Sequence, residues 1–423
     1  MLRQLSFLAA SLILLAGCLG DSEPATTDNV SRDGGPDLPM VAVQDAYYDV
    51  VPGGETTLQR NVENVAASAL GGDVRFHTYE EMTAKLEAWN ATYPDLVELD
   101  AIGESHQGRP VWRVVVTDES LPSEGKVAPL LDGGHHGNEY GGSEIMTYAV
   151  DLLLENHATN ATVRQLLRDL EIHVIPVVNP DGYAAGTRHN GFGVNLNRNY
   201  DVDWGNPAGT SNPVMGAVGA ATGMAFSGLA LVAENCGASA FSEPESQAVA
   251  AVMEELGGRA AFYLSGHTPT HAVIAPPAAF DPPFDVPADH RAVLDEELQW
   301  IRDHTEYEAG RAQWGDLSAG LPYAASGSSM DYFYHTVGKP AFTVEVEYFP
   351  TAVTAEDYPF RLAQEFEGLR YWMDATVPLP MHLLANAVAL HAWEAPTAPA
   401  LLPPDHVAPA LPERPHQEWP YLH

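Results

Sequence analysis

Cysteine is almost missing from this sequence: among 423 residues there are only Cys18 and Cys236. Two cysteines exclude a disulfide-stapled scaffold and any thiolate-rich metal site, so stability has to come from a buried core. Basic charge is also scarce. Lysine occurs only as Lys85, Lys126 and Lys339, and 20 basic residues face 57 acidic ones, a formal net charge of −37. A surface of that sign repels polyanions, which excludes nucleic acid as a partner. Dense carboxylates with little lysine are also what a protein working in concentrated salt shows, because salt screens their mutual repulsion over short distances. A halophilic source is the expectation. Internal repeats are absent, and no apolar run is long enough to hold the chain permanently across a bilayer.

The first feature that is present is a leader. Arg3 is followed by an apolar run from Leu5 to Leu15 and then by Leu15-Ala16-Gly17-Cys18. The run has the length and flanks of a signal peptide. The small residues before Cys18 resemble the lipobox of prokaryotic lipoproteins, which implies export and a lipid anchor on Cys18 that ties the chain to a membrane. An ordinary signal peptide that happens to contain a cysteine is the alternative. Cys236 is then the only other cysteine, a packed or free thiol.

Residues 19–72 are rich in Gly, Asp, Thr and Pro without sustained periodicity, which suits a flexible linker or a short pro-segment. Periodicity begins at Thr78, where Thr78 and Glu81 match a reciprocal helix cap and Met82, Leu86 and Trp89 share a face. Branched or aromatic runs at Val111–Val116, Leu130–Leu131, Ile172–Val178, Phe262–Leu264 and Phe342–Val346 predict buried strands. Helical patterns lie at Glu144–Glu155, Val163–Leu170, Glu245–Leu256 and Arg291–His304. Strands alternating with helices predict an α/β sheet covered on both faces, with residues 73–376 long enough for one large domain or two smaller ones. Residues 377–423, where prolines come to recur every few positions, read as a loosely packed tail.

The unusual residues fall where the predicted strands end, which is where ligands collect in such sheets. After Leu131 comes Gly133-Gly134-His135-His136-Gly137-Asn138-Glu139. His136 and Glu139 are three residues apart, nearly one helical turn, so an imidazole and a carboxylate can face one ion. Further on stand Asn179-Pro180-Asp181-Gly182-Tyr183, then Arg188, then Gly193-Val194-Asn195-Leu196-Asn197-Arg198-Asn199-Tyr200. Ser265-Gly266-His267 closes another strand.

From about His77 to Arg370 these motifs, in this order, resemble the zinc metallocarboxypeptidases of the carboxypeptidase A type. The resemblance implies a mixed, mostly parallel sheet of the eight-stranded type sandwiched between helices in a single catalytic domain. It implies one zinc ion per chain, held by His136, Glu139 and His267 with a fourth position for water. Asp181 is expected to accept the second ring N–H of His136. Glu345 matches the general base. A carboxylate on an apolar strand is costly to bury without a task, but Glu347 has the same strand parity, and the resemblance chooses between them. Arg188 matches the residue that stabilises the developing oxyanion, and Asn197 with Arg198 matches the pair that grips a terminal carboxylate. Tyr323, 22 positions before Glu345, matches the tyrosine that closes over bound substrate. Met330 matches the base of the specificity pocket, with Ala325 and Thr343 beside it. An uncharged wall there implies preference for apolar or aromatic terminal side chains.

The resemblance thus implies C-terminal hydrolysis of peptide substrates, and the leader places that activity outside the cytoplasm. Asn138 stands where the animal digestive enzymes carry arginine, and His-Gly-Asn-Glu is similar to bacterial members, some of which trim cell-wall peptides. A murein peptide amidase using the same site is therefore the alternative. A surface lipoprotein that binds peptide or zinc without turnover is a third reading.

Overall fold

The computed structural model describes residues 77–206, 235–268, 272–279, 282–305, 307–311, 325–346 and 378–392. Helix α1 (Tyr79–Thr92) opens this region. Thr78 Oγ1 accepts from Glu81 N at 3.2 Å while Glu81 Oε2 accepts from Thr78 N at 2.7 Å, the reciprocal cap that the sequence predicts. Its apolar face, Tyr79, Met82, Leu86 and Trp89, is buried.

Strands β1 (Val97–Glu104) and β2 (Pro110–Val116) form an antiparallel pair. Then follow β3 (Ala128–Gly133), helices α2 (Tyr140–Asn156) and α3 (Ala161–Asp169), β4 (Ile172–Ile175), α4 (Pro180–Ala185), and a 3₁₀ turn at Leu196–Arg198. The second half holds α5 (Pro244–Leu256), β5 (Ala260–His267), β6 (Ala272–Ala275), α6 (Ala288–His304), β7 (Glu308–Arg311), α7 (Ser329–Val337), β8 (Ala341–Glu345), α8 (Pro378–Ala385) and α9 (Ala387–Ala392).

The eight strands make one mixed sheet in the order β1-β2-β4-β3-β5-β8-β6-β7. Its centre, β4-β3-β5-β8, is parallel throughout. Strands β3, β4, β5 and β8 are buried along their whole length, as expected of parallel strands with helices on both faces. Register aligns their C-terminal ends: Asp132 lies opposite Ile175, Gly133 opposite Gly266, and His267 opposite Glu345. The loops leaving these ends share one edge of the sheet, so residues more than 200 positions apart in the chain become neighbours there.

Helix α2 lies against β5 at backbone distance. A Cβ on Gly142 would collide with the carbonyl group of Gly266, and a Cβ on Gly266 would stand 2.6 Å from the Gly142 oxygen. Alanine is the better helix former by about 1 kcal/mol. Overpacking costs about 1–3 kcal/mol, and a backbone carbonyl has little room to yield, so the clash wins. Gly142→Ala is expected to lower the urea midpoint of unfolding. An unchanged or raised midpoint would contradict this packing.

Three strands are absent from the sequence expectation. β1 reads as Val-Glu-Leu-Asp-Ala-Ile-Gly-Glu, is only partly covered at the sheet edge, and is interrupted by a register shift between Ala101 and Gly103. β6 and β7 are each four residues long, too short for a pattern. The strand expected to reach Val178 stops at Ile175, because Pro176 has no N–H to continue the ladder.

The tail expectation needs correction. Residues 378–392 are helical, with Leu379, Leu383, Leu384, Ala387 and Leu390 buried. Lys339 Nζ donates to the His391 carbonyl at 2.6 Å, His391 Nδ1 contacts the Ala260 carbonyl at 2.9 Å, and the His382 ring stacks on Trp300. Helix α9 packs on β5 and helix α8 on α2, so a loose tail would have left these apolar side chains in water. The proline-rich stretch from 393 onward lies outside the described residues. Among the described residues no helix is long and apolar enough to cross a membrane.

Candidate active site

The loop after β3 supplies two of the polar side chains at the shared edge. Gly134 takes a positive φ of 68°, open to glycine at no steric cost, and turns the chain so that His136 and Glu139 face inward ahead of α2. Glu139 is the residue preceding the first turn of α2 but makes no capping bond with its side chain. Its carboxylate turns to the two histidines instead: Oε1 lies 2.9 Å from His136 Nδ1 and Oε2 lies 2.9 Å from His267 Nδ1. The two Nδ1 atoms are 3.1 Å apart.

Burial drives the His136 imidazole down to about 3, with the neighbouring Arg188 charge acting in the same direction. Burial also lowers His267. Both rings are therefore neutral at ordinary pH. Burial by itself would raise Glu139, but the His136 ring and the hydrogen bonds from both rings outweigh it and hold the carboxyl well below its usual range. Two neutral imidazoles and one carboxylate are the donors a divalent zinc-type ion takes. Donors on bonds of about 2.0–2.2 Å in a tetrahedral set stand about 3.3–3.6 Å apart, so these residues fit such an ion with shifts of a few tenths of an ångström.

Asn195 holds His136 from behind. Its Oδ1 lies 3.0 Å from His136 Nε2 and also accepts from Asn197 N at 3.0 Å, so the amide at the head of the 3₁₀ turn orients the ring. This corrects the expectation for Asp181. In the first turn of α4, Asp181 is directed toward the β1–β2 connection, where it accepts from Ser105 Oγ (2.8 Å), Gln107 N (3.0 Å) and Arg109 Nη1 (2.7 Å). One local signal marks Asn195: it is a short polar residue between Val194 and Leu196, a pattern that buries an amide only where it has a partner.

Asn197 and Arg198 are both buried. Asn197 Oδ1 accepts from Ser329 N at 2.9 Å, and its Nδ2 is 3.1 Å from His267 Nε2. The Arg198 guanidinium donates from Nη1 to the Asn197 carbonyl at 2.7 Å, while its buried Nε has no partner among the described residues. Arg188, about one-third exposed, donates to Glu139 Oε1 at 2.9 Å. Glu345 is buried, and parallel pairing sets it beside His267, whose carbonyl accepts from Val346 N at 2.8 Å. Tyr323 and Glu347 lie outside the described residues.

Met330 is in the first turn of α7, buried, with Thr343 Oγ1 3.5 Å from its sulfur. Asp331 is turned elsewhere, accepting from Ala278 N at 2.9 Å and Ala279 N at 2.6 Å, with burial pushing it up to about 7 despite those bonds. The residue next to Met330 is thus occupied with the backbone of the segment after β6. Ala325 N donates to the Ala278 carbonyl at 2.6 Å, tying the two segments together.

Residues 82–364 match the family model for zinc carboxypeptidases. Similar curated proteins include zinc carboxypeptidase A 1 of Anopheles gambiae, 27% identical over 64% of this chain and 60% of its own length. Carboxypeptidase O of Bos taurus is 25% identical over 61% of this chain and 66% of its own. The chain therefore spans roughly three fifths to two thirds of the length of these relatives. Among solved structures, carboxypeptidase A from Helicoverpa armigera superposes with a TM-score of 0.54 at 22% identity, covering 73% of this chain and 74% of that one. Thrombin-activatable fibrinolysis inhibitor superposes with a TM-score of 0.57 at 20% identity, covering 75% of each. At such identities the superpositions speak to fold alone.

Proposed function

The chain belongs to the zinc carboxypeptidase family, and from that premise we propose that it hydrolyses the C-terminal peptide bond of peptides. The observation that carries this reading is the meeting of His136, Glu139 and His267 at one edge of the sheet, with Glu345 in register beside His267. His136, Glu139 and His267 would hold zinc, which supplies Lewis acidity that polarises a carbonyl and lowers the pKa of water.

The other parts of the reaction fall to the chain's own groups. Glu345 takes a proton from the attacking water and returns it to the departing amine. Arg188, the cationic neighbour of Glu139, stabilises negative charge as it develops on the scissile carbonyl oxygen. Arg198 pairs with the terminal carboxylate of the substrate. That ion satisfies a buried guanidinium whose Nε has no partner among the described residues, and in this way the site measures one residue from the end. Asn197, fixed by Ser329, completes the grip, and Tyr323 closes over the bound peptide.

Terminal side chains enter against Met330, Thr343 and Ala325. A thioether wall solvates an apolar or aromatic group and offers nothing to an ammonium or guanidinium. Mass analysis of a digested peptide library, in high salt so that overall charge does not steer cations, is expected to show Phe, Leu and Met released faster than Lys or Arg. Met330→Asp should move preference toward Lys and Arg through a new ion pair. Preferential release of basic residues by the unmodified chain would refute the pocket assignment.

The acidic surface suits work in concentrated salt, and the leader suits export with lipid at Cys18. Cys18→Ser is expected to release the chain from membranes or leave it unprocessed. A processed Cys18→Ser chain that still fractionates with membranes would refute the anchor.

A further inference from the structure

A second group of potential ligands lies behind the loop that carries Arg188, Asn195, Asn197 and Arg198. His106 stands in the β1–β2 connection, and Glu243 and Glu245 flank the start of α5. One donor atom from each lies within 4.8 Å of the others. Glu243 is 5% exposed and Glu245 0%. Asn190, on the same loop as Arg188, reaches both carboxylates from its Nδ2, at 2.7 Å to Glu243 Oε2 and 3.3 Å to Glu245 Oε2.

The two carboxylates are unequally satisfied. Glu243 accepts from Ser242 Oγ at 2.7 Å through Oε1, and its Oε2 meets His106 Nε2 at 2.8 Å as well as Asn190. Among the described residues the side-chain contact of Glu245 is the long one from Asn190 to Oε2, and its buried Oε1 has no hydrogen-bond partner there. Burial raises the Glu245 carboxyl above its ordinary range, the cost of holding a carboxylate away from water without a counter-charge. The start of α5 favours negative charge, but its dipole is not a ligand for a buried oxygen. A cation answers both the unpartnered oxygen and the two buried carboxylates.

We propose that His106, Glu243 and Glu245 form a second divalent-cation site, separate from the one at His136, Glu139 and His267. One imidazole nitrogen among two carboxylates fits a first-row ion of the zinc or manganese kind better than calcium or magnesium, which take oxygen donors. Its consequence is structural. The site links the β1–β2 connection, the start of α5 and, through Asn190, the loop of the arginines. Asn190 Oδ1 accepts from Phe192 N and Val194 N, and the Phe192 ring stacks on His106 with centroids 3.7 Å apart. An ion here orders the loop that places Asn195 against His136.

The test counts ions on the full-length chain. Protein stripped with a chelator and dialysed against zinc or manganese is analysed by mass spectrometry, beside Glu245→Gln and Glu139→Gln. The unmodified chain is expected to retain about two equivalents and each variant about one, with the ion-induced rise in Tm smaller in Glu245→Gln than in the unmodified chain. His106→Phe, which keeps a ring against Phe192 while removing the donor nitrogen, should lose the same equivalent and guards against misfolding of Glu245→Gln. The proposal is overturned if the unmodified chain saturates at about one equivalent, or if Glu245→Gln and His106→Phe retain as much metal as it does. Binding of calcium or magnesium in place of zinc and manganese would overturn the assigned class of ion. Because the readout is metal content, failure of the peptidase reading leaves this test intact.

Discussion

Replacing Glu345 by glutamine is expected to leave the protein folded and able to bind zinc while lowering kcat by about 10²–10⁴-fold, the usual contribution of a positioned general base. The expectation rests on position. Parallel pairing of β5 with β8 sets Glu345 directly opposite His267, at the end of a strand whose other residues are apolar or small. Glutamine has the same size and sits in the same register, so the strand and the neighbouring ligands should hold. It cannot accept the proton of water at neutral pH, so the loss should fall on turnover and spare substrate affinity. Turnover and metal content measured on one preparation make the check. Near-normal turnover would remove Glu345 from the chemistry, and loss of zinc along with activity would make it structural.

The second large effect is expected at Arg198. Arg198→Gln should lower kcat/KM for peptides with a free C-terminus by roughly 10²–10³-fold, about 3–4 kcal/mol, as expected when one partner of a buried charge-assisted pair is removed. Peptides with an amidated C-terminus, which bring no carboxylate, should be slow substrates of the unmodified chain and little affected by the substitution. The physical basis is that Arg198 is 6% exposed and spends Nη1 on a neighbouring carbonyl, yet its Nε has no partner among the described residues. A buried cation left in that state calls for an anionic ligand. Equal losses on free and amidated peptides would show that Arg198 supports the loop and does not hold the carboxylate.

Much of the fold can be read from local pattern. The central strands are continuous branched or aromatic runs, and helices α2, α3, α5 and α6 repeat their apolar residues at helical spacing, so these appear in the sequence close to their observed bounds, whereas α4 and α7 do not. The edge strands do not, because β1 is half-exposed and bulged and β6 and β7 are too short to carry a period. Residues 378–392 mislead for a related reason. Prolines frame the segment, yet its leucines are buried as the two short helices pack on β5 and α2, contacts that no local pattern encodes.

The site divides in the same way. His136 and Glu139 are close because they are three residues apart in a glycine-rich loop, a spacing the chain itself imposes. Strand parity is also local, and it leaves Glu345 and Glu347 equivalent. By itself, then, the sequence determined the central strands and helices, the glycine-rich ligand loop, the acidic surface and the shortage of cysteine that leaves stability to the core. Only the tertiary structure decided that β5 lies between β3 and β8, which brings His267 to Glu139 on one side and to Glu345 on the other. It likewise gave the place behind His136 to Asn195, turned Asp181 toward the β1–β2 connection, and gathered His106, Glu243 and Glu245. The reason is that strand order and register are set by packing across the whole sheet, and a shift of one residue would turn a central strand's side chains to the opposite face and part His267 from Glu345.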